Sequence, residues 1–145
     1  MATPLIREAS PDDLPKLLEI ERECFSSPHW IEEDFLKYDC IVAEIDGQIA
    51  GFLVSHEAYA GDITAPAERE LLNVAVSPRF RRLGIATDLI RHQLKHQAVY
   101  FLEVRESNIA AQALYRKLGF VEVARRSQYY ESPTETAIVM KMKWC

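Results

Sequence analysis

One stretch determines the architecture of this chain: LLNVAVSPRFRRLGIAT, residues 71–87. An apolar strand ends at Val76, and Ser77-Pro78 and a basic loop lead into an amphipathic helix that begins near Gly84. The first N–H groups of a helix have no partner within the helix, and the helix dipole adds positive potential there. Because Gly84 lets a ligand approach the backbone closely, the start of this helix is predicted to bind phosphate groups.

Strands and helices alternate on both sides of this stretch. Before it, strands are predicted at 5–9, 40–45 and 48–55, and helices at 10–23 and 31–38. After a loop at 56–67, the predicted order is strand 70–76, helix 84–97, strand 99–104, helix 108–118, and strands 121–129 and 136–144. Asp46-Gly47 favours a type I′ hairpin, and a strand-helix-strand crossover requires parallel pairing. We therefore expect one α/β domain over residues 1–145, with a mixed, mostly antiparallel sheet, a central parallel strand pair and flanking helices.

The composition is ordinary for a globular protein, with 48% hydrophobic and 27% charged residues. A net charge of −5 argues against a nucleic-acid partner and favours a cationic substrate. No apolar run is long enough to span a bilayer, and the first residues lack the pattern of a secretory signal. We expect a cytoplasmic protein with no membrane partner, and the sequence leaves its oligomeric state open.

The spacing of cysteine and histidine residues does not predict a metal site. Cys24, Cys40 and Cys145 are far apart and lack Cys-x-x-Cys spacing, which favours neither a disulfide framework nor a zinc site. His92 and His96 are four residues apart on a predicted helix, but they share its polar face with charged residues. We expect reduced thiols and no metal cofactor.

Three blocks of sequence carry a resemblance to a known family. Arg81-x-x-Gly84-x-Ala86 resembles the acetyl-CoA-binding signature of the GNAT acetyltransferase superfamily, and residues 102–108, 113–115 and 118–120 are similar to its downstream segment. Residues 126–130 and 137–140 resemble the C-terminal part of the RimI-type ribosomal-protein alanine N-acetyltransferases. The resemblance implies the acyl-CoA N-acyltransferase fold, acetyl-CoA as acetyl donor, and transfer to the α-amine of a protein, with the N-terminal alanine of a ribosomal protein as the expected acceptor.

The resemblance also implies which residues contact the cofactor. In this superfamily, main-chain groups of a bulged strand pair with pantetheine, and the following loop and helix start bind the pyrophosphate. Carried over to this sequence, the expected cofactor-binding residues are Val74, Ala75, Val76, Arg81, Arg82, Leu83, Gly84, Ile85, Ala86, Thr87 and Asn108. Without the family, Val74 and Val76 are ordinary core-strand valines, a reading compatible with backbone contacts.

Glu103 and Tyr115 are the candidate catalytic residues. Glu103 interrupts an apolar run near the C-terminal end of a parallel strand, the end where open α/β sheets bind ligands. Spacing alone leaves open that it only pairs with Arg105 or Arg125 at an exposed strand end. Tyr115 shares a helix face with Asn108, and spacing alone leaves open that it packs in the core. The resemblance implies that Glu103 is the general base and Tyr115 the general acid.

Tyr129 and Tyr130 are the candidate substrate-binding residues. Their hydroxyls suit hydrogen bonding to a peptide N-terminus, although strand-end aromatic residues on the surface are an open alternative. The sequence departs from the RimI pattern at Ser27-Pro28-His29-Trp30, which lacks the Pro-Trp pair, and at Thr136, where an aspartate is common. The same acid and base also suit acetylation of lysine or a small amine, and a non-catalytic acyl-CoA sensor is a third reading.

Overall fold

The computed structural model describes residues 3–25, 30–131 and 133–143 of the chain. Its strands are β1 (Leu5–Glu8), β2 (Asp39–Ile45), β3 (Gln48–Tyr59), β4 (Glu68–Val76), β5 (Val99–Arg105), β6 (Val121–Tyr130) and β7 (Glu135–Lys143). Its helices are α1 (Leu14–Cys24), α2 (Glu32–Lys37), α3 (Ile85–Leu94) and α4 (Ile109–Lys117), with single 3-10 turns at Pro11–Asp13 and Pro78–Phe80. The predicted end of the last strand, Trp144, lies outside the described residues, as does Cys145.

The strands form one sheet in the order β1-β2-β3-β4-β5-β7-β6. β4 and β5 are parallel, with Glu68 opposite Val99 and Leu71 opposite Leu102. The neighbouring pairs β1/β2, β2/β3, β5/β7 and β6/β7 are antiparallel. This arrangement confirms the predicted fold class, because α3 is the crossover that the parallel pair requires.

Contacts within the chain define two compact units, and a single domain over residues 1–145 stays a prediction. The first unit comprises Met1–His56 and Asn73–Lys95. Phe35 of α2 packs its ring edge-on against Phe52 of β3, at 5.2 Å between centroids, and both rings are buried. The predicted hairpin turn is confirmed, because Asp46 and Gly47 both have positive φ angles, 50° and 78°.

The second unit comprises Glu57–Leu72 and His96–Cys145. Its core is built on β5 and β7, whose inward residues include the fully buried Tyr100 and Met140. The Tyr100 hydroxyl donates a hydrogen bond to the carbonyl of His96, 2.5 Å away. β6 is the edge strand of the sheet, and its residues are exposed up to Tyr129.

Several predicted boundaries differ from the structure. The predicted loop at 56–67 begins later, because β3 continues to Tyr59, and β4 begins at Glu68, two residues before its predicted start at residue 70. Residues 57–59 are exposed, and an exposed strand end shows no apolar alternation that the sequence would reveal. The helix predicted to reach residue 97 ends at Leu94. None of the helices in the described ranges is long and apolar enough to cross a membrane, and the cytoplasmic location stays a prediction.

Candidate active site

The predicted phosphate-binding loop lies in the first unit. Gly84 precedes α3 with a φ angle of 76°, and Arg82 also has a positive φ angle, 66°. A Cβ atom built on Gly84 would meet no atom within 4 Å, so the space beside this backbone is open. The N-cap has no side chain to cover the first N–H groups of α3, which point along the positive end of the helix dipole. The loop therefore fits a phosphate group held by backbone donors.

Arg81, the first residue of the signature, contacts the end of β4. Its Nε donates to the carbonyl oxygen of Val76 at 3.3 Å, and its Nη2 lies 3.5 Å from Sγ of Cys24. The Cys24 thiol also donates to the Val76 carbonyl, at 3.2 Å. Burial raises the pKa of Cys24, which keeps this donor protonated. The carbonyl oxygen of Val76 therefore already accepts two hydrogen bonds within the protein.

The remaining predicted cofactor residues divide by burial. Ala75 and Ile85 are buried. Val74 is half-buried on the strand face opposite Ala75. In the loop and the first turn of α3, Arg82 and Gly84 are exposed, and the others are half-buried: Leu83, Ala86 and Thr87.

Glu103 lies on β5 in the second unit. Its partner is Arg126 and not Arg105 or Arg125, the two partners that the sequence spacing suggested. Nη1 of Arg126 donates to Oε1 of Glu103 at 3.1 Å. Oε2 of Glu103 is buried and has no hydrogen-bond partner among the described residues. Arg105 pairs instead with Glu135, at 3.1 Å, and Arg125 pairs with Glu106 and Glu122. Both suggested pairings of Glu103 are therefore wrong.

Tyr115 is half-buried on α4, and its ring packs edge-on against Phe120 at 5.8 Å between centroids. Burial raises the pKa of Tyr115 to about 12. The phenol therefore stays protonated at neutral pH and is available as a hydrogen-bond donor.

Asn108 and Gln112 fix the helix that carries Tyr115. Oδ1 of Asn108 accepts the N–H of Ala111 at 3.1 Å, so this side chain caps the start of α4. Gln112 is buried, and its Nε2 donates to the carbonyl oxygens of Arg105 and Glu106 at 3.1 and 2.8 Å. The role of Gln112 was not predicted, although this polar residue shares the predicted helix face of Asn108 and Tyr115.

Tyr129 and Tyr130 form an aromatic pair with ring centroids 5.1 Å apart. The guanidinium of Arg126 lies 4.3 Å from the Tyr129 ring centroid, and that of Arg105 lies 4.5 Å from the Tyr130 ring centroid. Burial and the neighbouring Glu103 carboxylate raise the pKa values of both phenols. The tyrosines thus lie beside Glu103, in the same unit, as protonated donors.

Arg105 also holds the turn between β6 and β7. Its Nη1 donates to the carbonyl oxygen of Pro133, and its Nη2 to that of Glu131, both at 3.0 Å. Glu135 accepts the backbone N–H of Ser107, and hydrogen bonds from the side chain and the backbone of Ser107 lower the pKa of Glu135. The sequence does not indicate Arg105, Arg126 or Glu135 as site residues, because their partners are distant in sequence.

Two expectations from the sequence concern the loop at residues 27–30 and metal binding. Ser27, Pro28 and His29, where the sequence departs from the RimI pattern, lie outside the described residues, while Trp30 packs against Phe35 at 5.2 Å between ring centroids. In the ranges that the structure describes, no three His, Cys, Asp or Glu residues are grouped to hold a metal ion.

The fold and these groups place the chain in a known class of enzyme. The model of the Acetyltransferase (GNAT) family matches residues 12–120, and the chain belongs to this family. It is therefore an acetyl-CoA-dependent N-acetyltransferase, as the sequence predicts.

The relatives of this chain include ribosomal-protein alanine N-acetyltransferases, the RimI type. The chain is 34% identical to the ribosomal protein bS18-alanine N-acetyltransferase of Salmonella typhimurium, over 92% of this chain and 93% of that protein. It is 33% identical to an N-alpha-acetyltransferase of Sulfurisphaera tokodaii, over 86% of this chain and 84% of that protein. The crystal structure of the ribosomal-protein-S18-alanine N-acetyltransferase from Escherichia coli matches with a TM-score of 0.84 and 30% identity, covering 98% of this chain and 94% of that one.

Proposed function

We propose that this protein transfers the acetyl group of acetyl-CoA to the α-amine of a protein N-terminus, and that the acceptor is the N-terminal alanine of a ribosomal protein. The observation that carries the proposal is the state of Glu103, whose Oε2 is buried with no hydrogen-bond partner among the described residues, close to Tyr129 and Tyr130. An unpaired buried acceptor costs about 1–3 kcal/mol, which a bound donor such as an ammonium group removes.

The loop before α3 is the proposed binding site of the acetyl donor. Acetyl-CoA supplies an acyl group activated as a thioester. The backbone N–H groups at Gly84 and in the first turn of α3 bind its phosphates, with Arg82 adding positive charge at the exposed edge of the loop. Main-chain groups of Val74 to Val76 bind the pantetheine amides in the manner of a neighbouring strand.

Glu103 is the proposed general base. An α-ammonium group has a reference pKa of about 7.7–8.0, so a carboxylate needs only to take up its proton as the amine attacks. Arg126 occupies Oε1, and Oε2 is left to accept that proton, directly or through a water molecule. No covalent intermediate on the enzyme is required.

Tyr115 is the proposed general acid, acting on the departing thiolate. Its pKa of about 12 lies above the reference value of a thiol, about 8.5, so full proton transfer to the sulfur is unfavourable in the resting site. The phenol is therefore best suited to stabilise the developing negative charge with a hydrogen bond, and it transfers its proton as the charge grows.

Tyr129 and Tyr130 are the proposed contacts of the acceptor peptide. Cation–π contacts from Arg126 and Arg105 hold the two rings, and an aromatic wall of this kind leaves room for a small first side chain. The relatives named above as alanine N-acetyltransferases, at 30–34% identity over nearly the whole chain, support alanine at that position.

The acceptor is tested by mass spectrometry of peptides incubated with the protein and acetyl-CoA. We expect a peptide with a free N-terminal alanine to gain one acetyl group, and matched peptides that begin with serine or methionine to react more slowly. An N-blocked peptide that contains lysine is the control. Acetylation of the blocked lysine peptide alone would contradict transfer to the α-amine.

The base is tested by Glu103→Gln. We expect kcat to fall by about 100-fold or more, within the range that general-base catalysis contributes, while the Kd for acetyl-CoA changes less than about twofold. Isothermal titration calorimetry measures the Kd, and thiol release measures turnover. A variant that keeps its turnover would remove Glu103 from the mechanism.

A further inference from the structure

Arg126 lies on exposed strand β6, and nothing in the proposed reaction requires it as an acid, a base or a ligand for acetyl-CoA. Its guanidinium nevertheless makes two contacts within the site. Nη1 donates to Oε1 of Glu103 at 3.1 Å, and the same guanidinium lies 4.3 Å from the ring centroid of Tyr129. Arg126 therefore touches the proposed base and one of the two proposed acceptor contacts at once.

The backbone of β6 is irregular where these contacts form. Arg126 lies opposite Ala137 of β7, and Tyr130 lies opposite Glu135. Four residue steps on β6 thus match two steps on β7, so β6 carries two extra residues. Gln128, inside this bulge, has a φ angle of 54°, which a residue with a side chain rarely adopts. Bulges of this kind redirect side chains and are common beside active sites.

The ion pair itself adds little to the stability of the fold. The side chain of Arg126 is 56% exposed and that of Glu103 is 26% exposed. Exposed ion pairs contribute about 0–1 kcal/mol to the free energy of unfolding. A strained bulge that orients a weakly stabilising arginine toward a carboxylate is better explained by positioning than by stability.

The two oxygens of Glu103 differ in their contacts. Oε1 is held by the guanidinium, and Oε2 is buried with no hydrogen-bond partner in the described part of the chain. A carboxylate anchored through one oxygen keeps one rotamer, and the position of its second oxygen is then set before a substrate arrives.

We propose that Arg126 is a positioning residue: it orients Glu103 so that Oε2 meets the acceptor amine, and it holds the Tyr129 ring beside that amine. This inference rests on the proposed function of Glu103. Arg126 acts through Glu103 and Tyr129 and takes no proton itself.

The test is Arg126→Gln, with Arg125→Gln as the matched control. Arg125 is the adjacent residue on β6, is exposed to a similar extent at 52%, and also loses ion pairs, with Glu106 and Glu122. We expect Arg126→Gln to lower kcat for an N-terminal alanine peptide by about 10- to 100-fold, since misplacing a catalytic group by about 1 Å has an effect of that size. The Kd for acetyl-CoA and the Tm should stay at the wild-type values, and Arg125→Gln should keep kcat within twofold of wild type.

Two further variants separate positioning from a general structural role. Arg126→Lys keeps the charge near Oε1 and should restore part of the lost kcat. In the double variant Glu103→Gln with Arg126→Gln, the loss of kcat should be clearly smaller than the product of the two single losses, because the part of the Arg126 effect that acts through the carboxylate disappears with it and only the part that acts through Tyr129 remains.

The outcomes distinguish this inference from the function on which it rests. If Glu103→Gln retains full turnover, the proposed base is wrong. If Glu103→Gln is impaired and Arg126→Gln is not, the base stands and the role of Arg126 is overturned. Multiplying effects in the double variant, or an equal loss of kcat in Arg125→Gln, would also overturn it.

Discussion

Replacing Gly84 by alanine tests whether the start of α3 binds the cofactor. Gly84 has a φ angle of 76°, and a Cβ at this position would meet no atom of the protein within 4 Å. The added methyl therefore causes no clash in the free protein. Its effect on folding comes from the left-handed backbone alone, which destabilises an L-residue by about 1–2 kcal/mol.

The expected magnitudes separate folding from binding. For a chain of about this length, 1 kcal/mol shifts the Tm by about 2–4 °C, so Gly84→Ala should stay folded with a Tm lowered by about 2–8 °C. The methyl occupies the space in which the pyrophosphate would approach the backbone. Loss of one charge-assisted hydrogen bond, about 1.5–3 kcal/mol, raises the Kd for CoA by roughly 10- to 150-fold.

Gly47→Ala is the matched control. Gly47 has nearly the same φ angle, 78°, and a Cβ there also meets nothing within 4 Å, but it lies in the β2–β3 hairpin. Differential scanning fluorimetry should show similar Tm losses for the two variants, and calorimetric titration with CoA should show weakened binding for Gly84→Ala alone. Wild-type CoA affinity in a folded Gly84→Ala protein, or equal weakening in Gly47→Ala, would refute the assignment of this loop.

Two further predictions concern α4. Burial raises the pKa of Tyr115 to about 12 in the folded protein, above its reference value of about 10 in the unfolded chain. The folded state therefore binds this proton more tightly. The stability associated with this proton is complete below pH 10 and is lost as the pH rises toward 12. Across this pH range, the free energy of unfolding should decrease less for Tyr115→Phe than for the wild type. Identical pH dependence in the two proteins would contradict the raised pKa of Tyr115. Gln112→Met should lower the free energy of unfolding by about 1–3 kcal/mol in urea titrations, because it leaves the carbonyl oxygens of Arg105 and Glu106 without their donor. An unchanged midpoint of the urea titration would show that water replaces the amide of Gln112.

Features with a local cause were predictable from the sequence. The hairpin at Asp46-Gly47 follows from the positive φ angles that a type I′ turn requires, and the turn has them. The helix start at Gly84 follows from a glycine placed between a basic loop and an amphipathic run. The parallel pair of β4 and β5 follows from the helix between them, because such a crossover leaves little choice of topology.

The end of β3 shows where local patterns stop being informative. Residues 57–59 are exposed and belong to β3, although none of their side chains is buried. A loop and an exposed strand end look alike in the sequence, which is why the predicted loop at 56–67 was too long. The role of Gln112 was not predicted for a related reason. Its partners are backbone carbonyl oxygens, which every residue has, so no residue type in the sequence marks them.

The residue types that the proposed chemistry needs, Glu103 and Tyr115 among them, were recognisable from the linear chain, because their motif spacing does not depend on distant contacts. The choice of an ion-pair partner for Glu103 among three nearby arginines depended on the folded sheet. Arg126 is 23 residues from Glu103, across β7, and the register of β6 against β7 shifts between Glu122 and Ala124 and again between Arg126 and Tyr130, so β6 does not keep the alternation of a regular strand. Pairing between strands and the conformation of one bulge are set by long-range packing, and no local pattern contains that information.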